Sequence, residues 1–296
     1  MKLIIVNPVA GHGKAMRLAD RASTLLGACR TVYTNAPGHA TDIAREAAAS
    51  GEYDAVIAMG GDGTVSEVAT GLRGTDIPLG ILPCGTGNDT CRGYGIPLNL
   101  EEAVKLIQTG HVGFVDILRV NDRNYMNVMS VGFDAQVVKA AEKYKRFGKI
   151  SYALGVYAVM TGYRSTPLTV TVDGETRKDD FYLFTAGCGT HYGGGMNVLP
   201  EADPCDGLLD ICTIDPVVSV ATVLRLLPKF IKGRHACYSF VHFSRAKHIV
   251  IASDQPEGFD LNTDGEINPN QHRAEIMVLP RAQRVILPSG KGDQHA

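Results

Sequence analysis

The chain has 296 residues, enough for one large domain or two ordinary ones and for a substantial core. It is 45% hydrophobic and 20% charged with a net charge of −2, which argues against a general nucleic-acid binder, since phosphate contacts need clustered Lys and Arg. Seven scattered cysteines with no C-x-x-C spacing exclude a disulfide frame and a zinc site, and read as reduced thiols.

The opening MKLIIVNPVAG carries an apolar run too short for a signal peptide, and the apolar stretch at 150–163 falls short of the ~20 residues of a spanning helix. The expectation is a cytoplasmic protein without a transmembrane segment, with contact at the inner membrane face left open. Strands and helices alternate in the first third. Residues 2–6, 30–34, 54–59 and 78–83 read as strands, and helical patterns fill about 13–27, 39–50, 64–72 and 100–109. Short loops between them predict an α/β domain with a mostly parallel sheet.

After about residue 117 the pattern changes. Residues 116–132 read as a hairpin around Asn121 and Asp122, and a helical stretch covers roughly 134–163. Strands are expected at 167–177, 180–187, 207–214, 243–253 and 274–280, with a helix at about 217–232. This predicts a second, antiparallel β-sandwich-like domain. The expected division is 1–117 and 118–282, with the tail 283–296 returning to the first domain.

Ligands of open α/β sheets sit beyond the carboxyl ends of the strands. Three unusual loops fall there: Asn7, Pro8, Val9, Ala10 and Gly11; then Gly60, Gly61, Asp62, Gly63 and Thr64; then Gly85, Thr86, Gly87, Asn88 and Asp89. Glycine lets backbone N–H groups approach a phosphate, and a helix N-terminus adds its dipole. Thr64 and Thr86 can donate to phosphate, whereas Asp62 suits Mg²⁺, a ribose hydroxyl or an acceptor. Any one loop reads equally well as a tight turn. Three at one sheet edge point to a nucleotide. The P-loop G-x-x-x-x-G-K-[ST] is absent and Gly61-Asp62-Gly63 lacks the third glycine of G-x-G-x-x-G, which sets aside P-loop NTPases and Rossmann dehydrogenases.

Taken together, NPVAG, GGDGTVSEV, PCGTGND and the later NTDGE at 262–266 resemble the diacylglycerol kinase catalytic family, in particular the soluble bacterial diacylglycerol kinase and YegS-like lipid kinases. The resemblance covers nearly the whole chain and implies the NAD kinase/diacylglycerol kinase-like fold. It implies that Gly60 to Ser66 wrap the phosphates of ATP, and that Asn7, Pro8, Gly11, Gly85, Thr86, Asn88 and Thr34 complete the nucleotide site. It also implies a catalytic carboxylate in the DGE motif, Asp264 or Glu266. Without the resemblance, Asp264-Gly265 reads as a common hairpin turn.

Metal must neutralise the ATP phosphates, and Asp62, Asp89 and Asp116 are candidates to hold Mg²⁺. The loop LPEADPCDGLLD at 199–210 groups Asp203, Asp206 and Asp210, hard oxygen donors that suit Mg²⁺ or Ca²⁺. By resemblance, Asp203, Asp206 and the carbonyl of Leu208 bind a structural Mg²⁺.

A lipid acceptor needs an apolar cleft and access to a bilayer. The segment 139–164 sets Lys139, Lys143, Lys145, Arg146 and Lys149 beside an apolar helix, and LRLLPKFIKGRH at 224–235 repeats the combination. Each reads either as a packed helix with a solvated basic end or as a surface for anionic headgroups. The resulting expectation is an ATP-dependent lipid kinase acting on diacylglycerol at the membrane surface, with a homodimer left open. Phosphatidylglycerol and a sphingoid alcohol are other acceptors, the last disfavoured by Gly-Gly-Asp-Gly in place of the Ser-Gly-Asp-Gly of sphingosine kinases. An NAD kinase is the first rival, disfavoured by GTGND where those enzymes carry an Asn-Glu pair. A non-catalytic lipid- or nucleotide-binding regulator is the second, disfavoured by the intact loops.

Overall fold

The computed structural model describes residues 1–144, 151–160, 162–216 and 219–291. They form two compact units. Met1–Ile117, Asp203–Gly207 and the chain from Leu279 onward make the first; Leu118–Ala202 and Leu208–Val278 make the second.

The first unit runs β1 (Lys2–Val6), α1 (Ala10–Leu26), β2 (Cys29–Tyr33), α2 (His39–Ser50), β3 (Ala55–Gly60), α3 (Asp62–Leu72), β4 (Leu79–Pro83), α4 (Asp89–Tyr94) and α5 (Leu100–Thr109). Its strands pair in parallel in the order β2-β1-β3-β4, with Ile4 between Thr31 and Ile57. Every residue of β3 and β4 is buried, as both faces of a central parallel strand must be, and this is why their sequences read as unbroken apolar runs. On one face Ala15, Ala19 and Ala22 of α1 and Ala103, Val104 and Ile107 of α5 pack with Ile4, Ile57 and Met59. The small alanines recur at helical spacing and let α1 lie close to the sheet. The regular part of α1 starts after Gly13, because Gly11, His12 and Gly13 all have positive φ. At α5 the Asn99 side chain accepts from the amides of Glu101 and Glu102 at 2.9 and 3.2 Å, a standard N-cap.

Strand β5 (His111–Val120) leads out of the first unit. There follow β6 (Arg123–Tyr125), β7 (Val128–Gly132), α6 (Phe133–Glu142), α7 (Ser151–Met160), β8 (Thr166–Val172), β9 (Glu175–Phe181), β10 (Leu183–Gly187), the two-residue β11 (His191–Tyr192) and β12 (Met196–Asn197), and β13 (Leu209–Ile214). Next come α8 (Val220–Ile231), β14 (Val241–Ala246), β15 (His248–Ala252), β16 (Phe259–Thr263), β17 (Glu266–Gln271) and β18 (Arg273–Leu287). In the second unit an antiparallel sheet runs β14-β13-β10-β7-β16-β17. A second antiparallel layer joins β9, β8, β15 and the first part of β18. Alternate residues meet between the layers: Met129, Val131, Phe184 and Ile211 pack with Leu168, Val170, Ile249, Ile251 and Ile276. That is a β-sandwich core built on the two-residue period of a strand. The outer face of the six-stranded sheet is covered too. Val128, Leu183 and Ile214 pack with Phe133 and Val137 of α6, Met160 of α7, and Val223, Leu226 and Phe230 of α8. The edge strand β9 is nearly all exposed and charged, which discourages edge pairing. In the first unit, the last part of β18 runs parallel to β4, with Val285 opposite Leu79.

Several expected elements divide differently. The stretch 134–163 holds two helices, α6 and α7; residues 145–150 and 161, and with them Lys145, Arg146 and Lys149, lie outside the described residues, as do 217–218 of the expected 217–232 helix and 292–296 of the tail. The strand expected at 180–187 is two strands in different layers, β9 and β10, with Tyr182 between them. The strand expected at 243–253 likewise divides at Lys247 into β14 and β15. Chains commonly switch sheets at such sandwich corners, and an apolar pattern continues through the switch. Conversely, the strand expected at 274–280 runs on into the tail as the single strand β18, which ends at Leu287 and carries Arg281 at φ 51°.

Candidate active site

Because β1, β3 and β4 are neighbours in a parallel sheet, the loops after them emerge side by side. Backbone bonds lock them together. The Asn7 amide donates to the Met59 carbonyl at 3.0 Å, and the amides of Cys84 and Gly85 both donate to the Gly60 carbonyl, at 2.7 and 3.0 Å. The Asn7 side-chain amide donates to Thr64 Oγ1 at 3.1 Å, and Thr34 joins the same edge through its amide to the Val6 carbonyl at 2.9 Å. The approach is close enough to demand glycine. A Cβ on Gly85 would stand 2.5 Å from Gly61 Cα, and one on Gly11, where φ is 58°, would run into the Cys84 carbonyl.

Asp62, the first residue of α3, turns its Oδ1 to the amide and hydroxyl of Thr90, both at 2.9 Å. It therefore ties the second loop to the start of α4. Asn88, at φ 54°, accepts from the Gly85 amide at 2.9 Å and donates back to the Gly85 carbonyl at 3.0 Å, closing the third loop on itself. Thr86 and Gly63 are exposed, and Asp89 is buried at the first position of α4. The Ser66 hydroxyl is buried with no hydrogen-bond partner among the described residues. The edge offers two helix N-termini and short hydroxyls, a chemistry that suits a polyphosphate.

Asp116 is fully buried, and in the first unit it sits against the 203–207 loop. Its Oδ2 accepts from the Gly207 amide at 2.7 Å and its Oδ1 from the Arg281 amide at 2.8 Å, while its own amide donates to the Pro204 carbonyl at 2.7 Å. Burial pushes the Asp116 carboxyl up; the two amide bonds pull against this, and the charges of Asp206 and Asp203 push it further. Asp203 Oδ1 also accepts from the Cys205 amide at 3.1 Å. These carboxylates are hard oxygen donors and fit Mg²⁺ in kind. Among the described residues, no three His, Cys, Asp or Glu side chains are grouped so as to hold a metal unaided.

In the second unit Asp264 and Gly265 form the two-residue turn of the β16–β17 hairpin, with φ of 47° and 92° and Thr263 opposite Glu266. Positive φ at both positions is the type I′ geometry that Asp-Gly favours. The turn is also anchored through its side chain. Asp264 accepts from the amides of Met126 at 3.1 Å and Val128 at 2.9 Å, and its own amide donates to the Val128 carbonyl at 3.1 Å. Glu266, the first residue of β17, is exposed.

Three further residues, which sequence reasoning missed, join this turn to a pocket. Asn262 accepts from the Gly265 amide at 3.0 Å and donates to Asp134 Oδ2 at 2.7 Å and Ser130 Oγ at 3.1 Å; Ser130 donates to Asp134 at 2.6 Å. All three are at most 2% exposed. Asp134 lines a small apolar pocket with Phe133, Tyr182, Met196, Leu226 and Phe230, with a cavity volume of about 40 Å³. The Tyr182 hydroxyl is buried with no hydrogen-bond partner among the described residues. Asn262 stands inside the NTDGE motif, so it carried a signal. Ser130 and Asp134 carried none, because their partner lies more than 120 residues away.

Comparison with known proteins gives a consistent picture. Residues 2–120 match the family model of the diacylglycerol kinase catalytic domain, and residues 127–287 that of the YegS C-terminal NAD kinase beta sandwich-like domain. The chain is 34% identical over 295 residues to a diacylglycerol kinase of Mycobacterium tuberculosis, covering 96% of this chain and 94% of the relative. It is 29% identical over 269 residues to a diacylglycerol kinase of Bacillus subtilis, covering 89% and 87%. The crystal structure of a diacylglycerol kinase from Bacillus anthracis superposes with a TM-score of 0.76 at 29% identity over 97% of both chains.

Proposed function

The chain belongs to the diacylglycerol kinase family of lipid kinases, and from that premise we propose that it transfers the γ-phosphate of Mg²⁺-ATP to the free hydroxyl of diacylglycerol, giving phosphatidic acid. The first unit takes the nucleotide. Asn7, Pro8, Gly11, Gly60, Gly61, Gly63, Gly85 and Asn88 shape the phosphate cradle, Thr64, Thr86 and Ser66 donate hydroxyls to it, and Thr34 closes its side. Asp62 holds the second loop to α4 through Thr90, fixing the positions of both helix N-termini.

The second unit takes the acceptor. Glu266 is the base: it is exposed, and a carboxylate in reach of the lipid hydroxyl accepts its proton as the phosphoryl group leaves the nucleotide. Asp264 is a positioning residue, because both its oxygens already accept backbone amides. Mg²⁺ bound with the nucleotide would spread the charge of the transferring phosphoryl group. Asp89 would help to hold it, while Asp116 orders the loop on which Asp203 and Asp206, with the Leu208 carbonyl, would hold a structural ion.

The observation that carries the lipid reading is the Asp134–Ser130–Asn262 chain, which couples an apolar pocket to the acidic turn within one unit. The Phe133, Leu226 and Phe230 walls present the apolar surface that an acyl chain needs, the small cavity between them widening as the chain enters, and the Tyr182 hydroxyl offers a donor to an ester carbonyl. Filling the pocket with Leu226→Trp tests this. The KM for diacylglycerol should rise at least tenfold, with ATP affinity unchanged. An unaltered KM for the lipid would remove the pocket from the acceptor site.

A further inference from the structure

We propose that α8 is an interfacial helix that seats the second unit on an anionic phospholipid bilayer. The inference deepens the lipid-kinase reading and rests on it for what the surface delivers.

A helix packed on a sheet ordinarily turns apolar residues inward and polar ones outward. In α8 the inward set is complete: Val223, Leu226, Leu227 and Phe230 recur at i, i+3, i+4 and i+7, and all line the apolar pocket. The apolar surface does not stop there. Leu224, Pro228 and Ile231 follow at intervals of four and three, which places them along one adjoining flank, with the half-buried Val220 at its start packing on the core. Leu224 is 52% exposed and Ile231 56%. Beyond this flank, on the outermost side, come Arg225, Lys229 and Lys232, all exposed.

The helix is thus layered around its axis: pocket wall, exposed apolar flank, basic stripe. A solvated helix has no use for the middle layer. At a lipid–water boundary each layer has a place, with the apolar flank in the acyl region and the cations at the headgroups.

Charge selects the kind of lipid. No Asp or Glu occurs anywhere from 216 to 253, and α8 with the residues just after it carries Arg225, Lys229, Lys232 and Arg234; Arg245, further on in β14, is already paired with Asp210 at 3.1 Å. Such a run repels cationic surfaces and is drawn to anionic headgroups. The geometry also fits lying on a bilayer rather than crossing it, since no helix among the described residues is long and apolar enough to span. Because one side of α8 walls the pocket and the next side would meet the acyl region, a lipid reaches the pocket along the helix without crossing water.

The natural chain has no tryptophan, so a single introduced one reports without background. Leu224→Trp and Ile231→Trp replace exposed side chains and leave the pocket wall intact. Leu25→Trp, at a 40% exposed position of α1, is the control. Each protein is mixed at low salt with vesicles of phosphatidylcholine alone or with 30% phosphatidylglycerol, in plain and brominated forms. The expected result is a blue shift and bromine quenching for Leu224→Trp and Ile231→Trp on the anionic vesicles, with Leu25→Trp unmoved. The triple variant Arg225→Gln/Lys229→Gln/Lys232→Gln, built on Leu224→Trp, should partition on the order of 100-fold more weakly onto anionic vesicles, given ~1 kcal/mol per basic residue at such a surface. Quenching of Leu224→Trp no greater than that of Leu25→Trp would overturn the proposal, as would equal binding to both vesicle types. Label transfer from ATP to diacylglycerol in neutral detergent micelles is measured alongside. Insertion without phosphorylated lipid sinks the kinase reading and supports α8 as an anchor; micellar turnover without insertion sinks the anchor alone.

Discussion

Replacing Gly63 by alanine separates what the fold needs from what a nucleotide needs. Gly63 is the second residue of α3, its φ is not positive, and a Cβ built on it meets no atom within 4 Å. Nothing in the protein therefore asks for glycine there. Glycine in a helix is about 0.5–1 kcal/mol less favourable than alanine. Gly63→Ala should accordingly stabilise the first unit by up to about that amount, raising Tm by about 1–4 °C at ~2–4 °C per kcal/mol. Yet if phosphate lies on the N-terminus of α3, the new methyl group stands where the phosphate must approach and costs a charge-assisted amide bond. At about 1.5–3 kcal/mol, ATP binding falls about 10- to 100-fold. Differential scanning fluorimetry gives the first number and titration calorimetry with ATP the second. A stable Gly63→Ala protein that binds ATP like the wild type would refute phosphate binding at this loop.

Gly85→Ala should behave oppositely, since its Cβ would meet Gly61 Cα at 2.5 Å: we expect a loss of about 1–3 kcal/mol from overpacking and a ~100-fold lower kcat/KM, with an unchanged Tm contradicting the packing argument. Glu266→Gln should lower kcat about 10²- to 10⁴-fold with stability unchanged, whereas Asp264→Asn should cost about 1–3 kcal/mol of stability by setting an amide group against the Met126 or Val128 N–H. Wild-type kcat in Glu266→Gln would remove it as the base. His235 is fully buried, stacked 4.0 Å from Phe230, with Nε2 donating to the Val198 carbonyl, and burial holds its pKa below 6.5. Its neutral form is favoured in the folded state, so its contribution is intact above pH 6.5 and is lost as pH falls. The fall in stability between pH 7.5 and 5.5 should therefore be smaller in His235→Phe than in the wild type, and an equal fall in both would contradict the assignment.

The parallel sheet was legible because its strands are buried on both faces: KLIIV and DAVIAM have no reading but a covered strand, and helices of alanine and leucine separate them. The sandwich was legible as a class and blurred in detail. Periodicity continues unbroken through Tyr182 and Lys247, where the chain changes sheets, so local pattern cannot mark the corner. The loops at one sheet edge could be placed from chain order alone. What could not be read is any contact made over long separations. Asp62 reaching Thr90, Asp116 held by Gly207 and Arg281, and Asp134 held by Asn262 each depend on the fold to bring distant residues together. The Asp264-Gly265 turn shows the limit from the other side. Its type I′ geometry was readable from two residues, and its anchoring to Met126 and Val128 was not.

Phosphoryl transfer itself is read by following label from γ-labelled ATP, with Mg²⁺, to a panel of acceptors in detergent micelles: diacylglycerol, phosphatidylglycerol and sphingosine, with NAD as the aqueous control. Label is expected in the organic phase as phosphatidic acid, dependent on Glu266. Label in the aqueous NAD product and in no lipid would contradict the lipid-kinase reading.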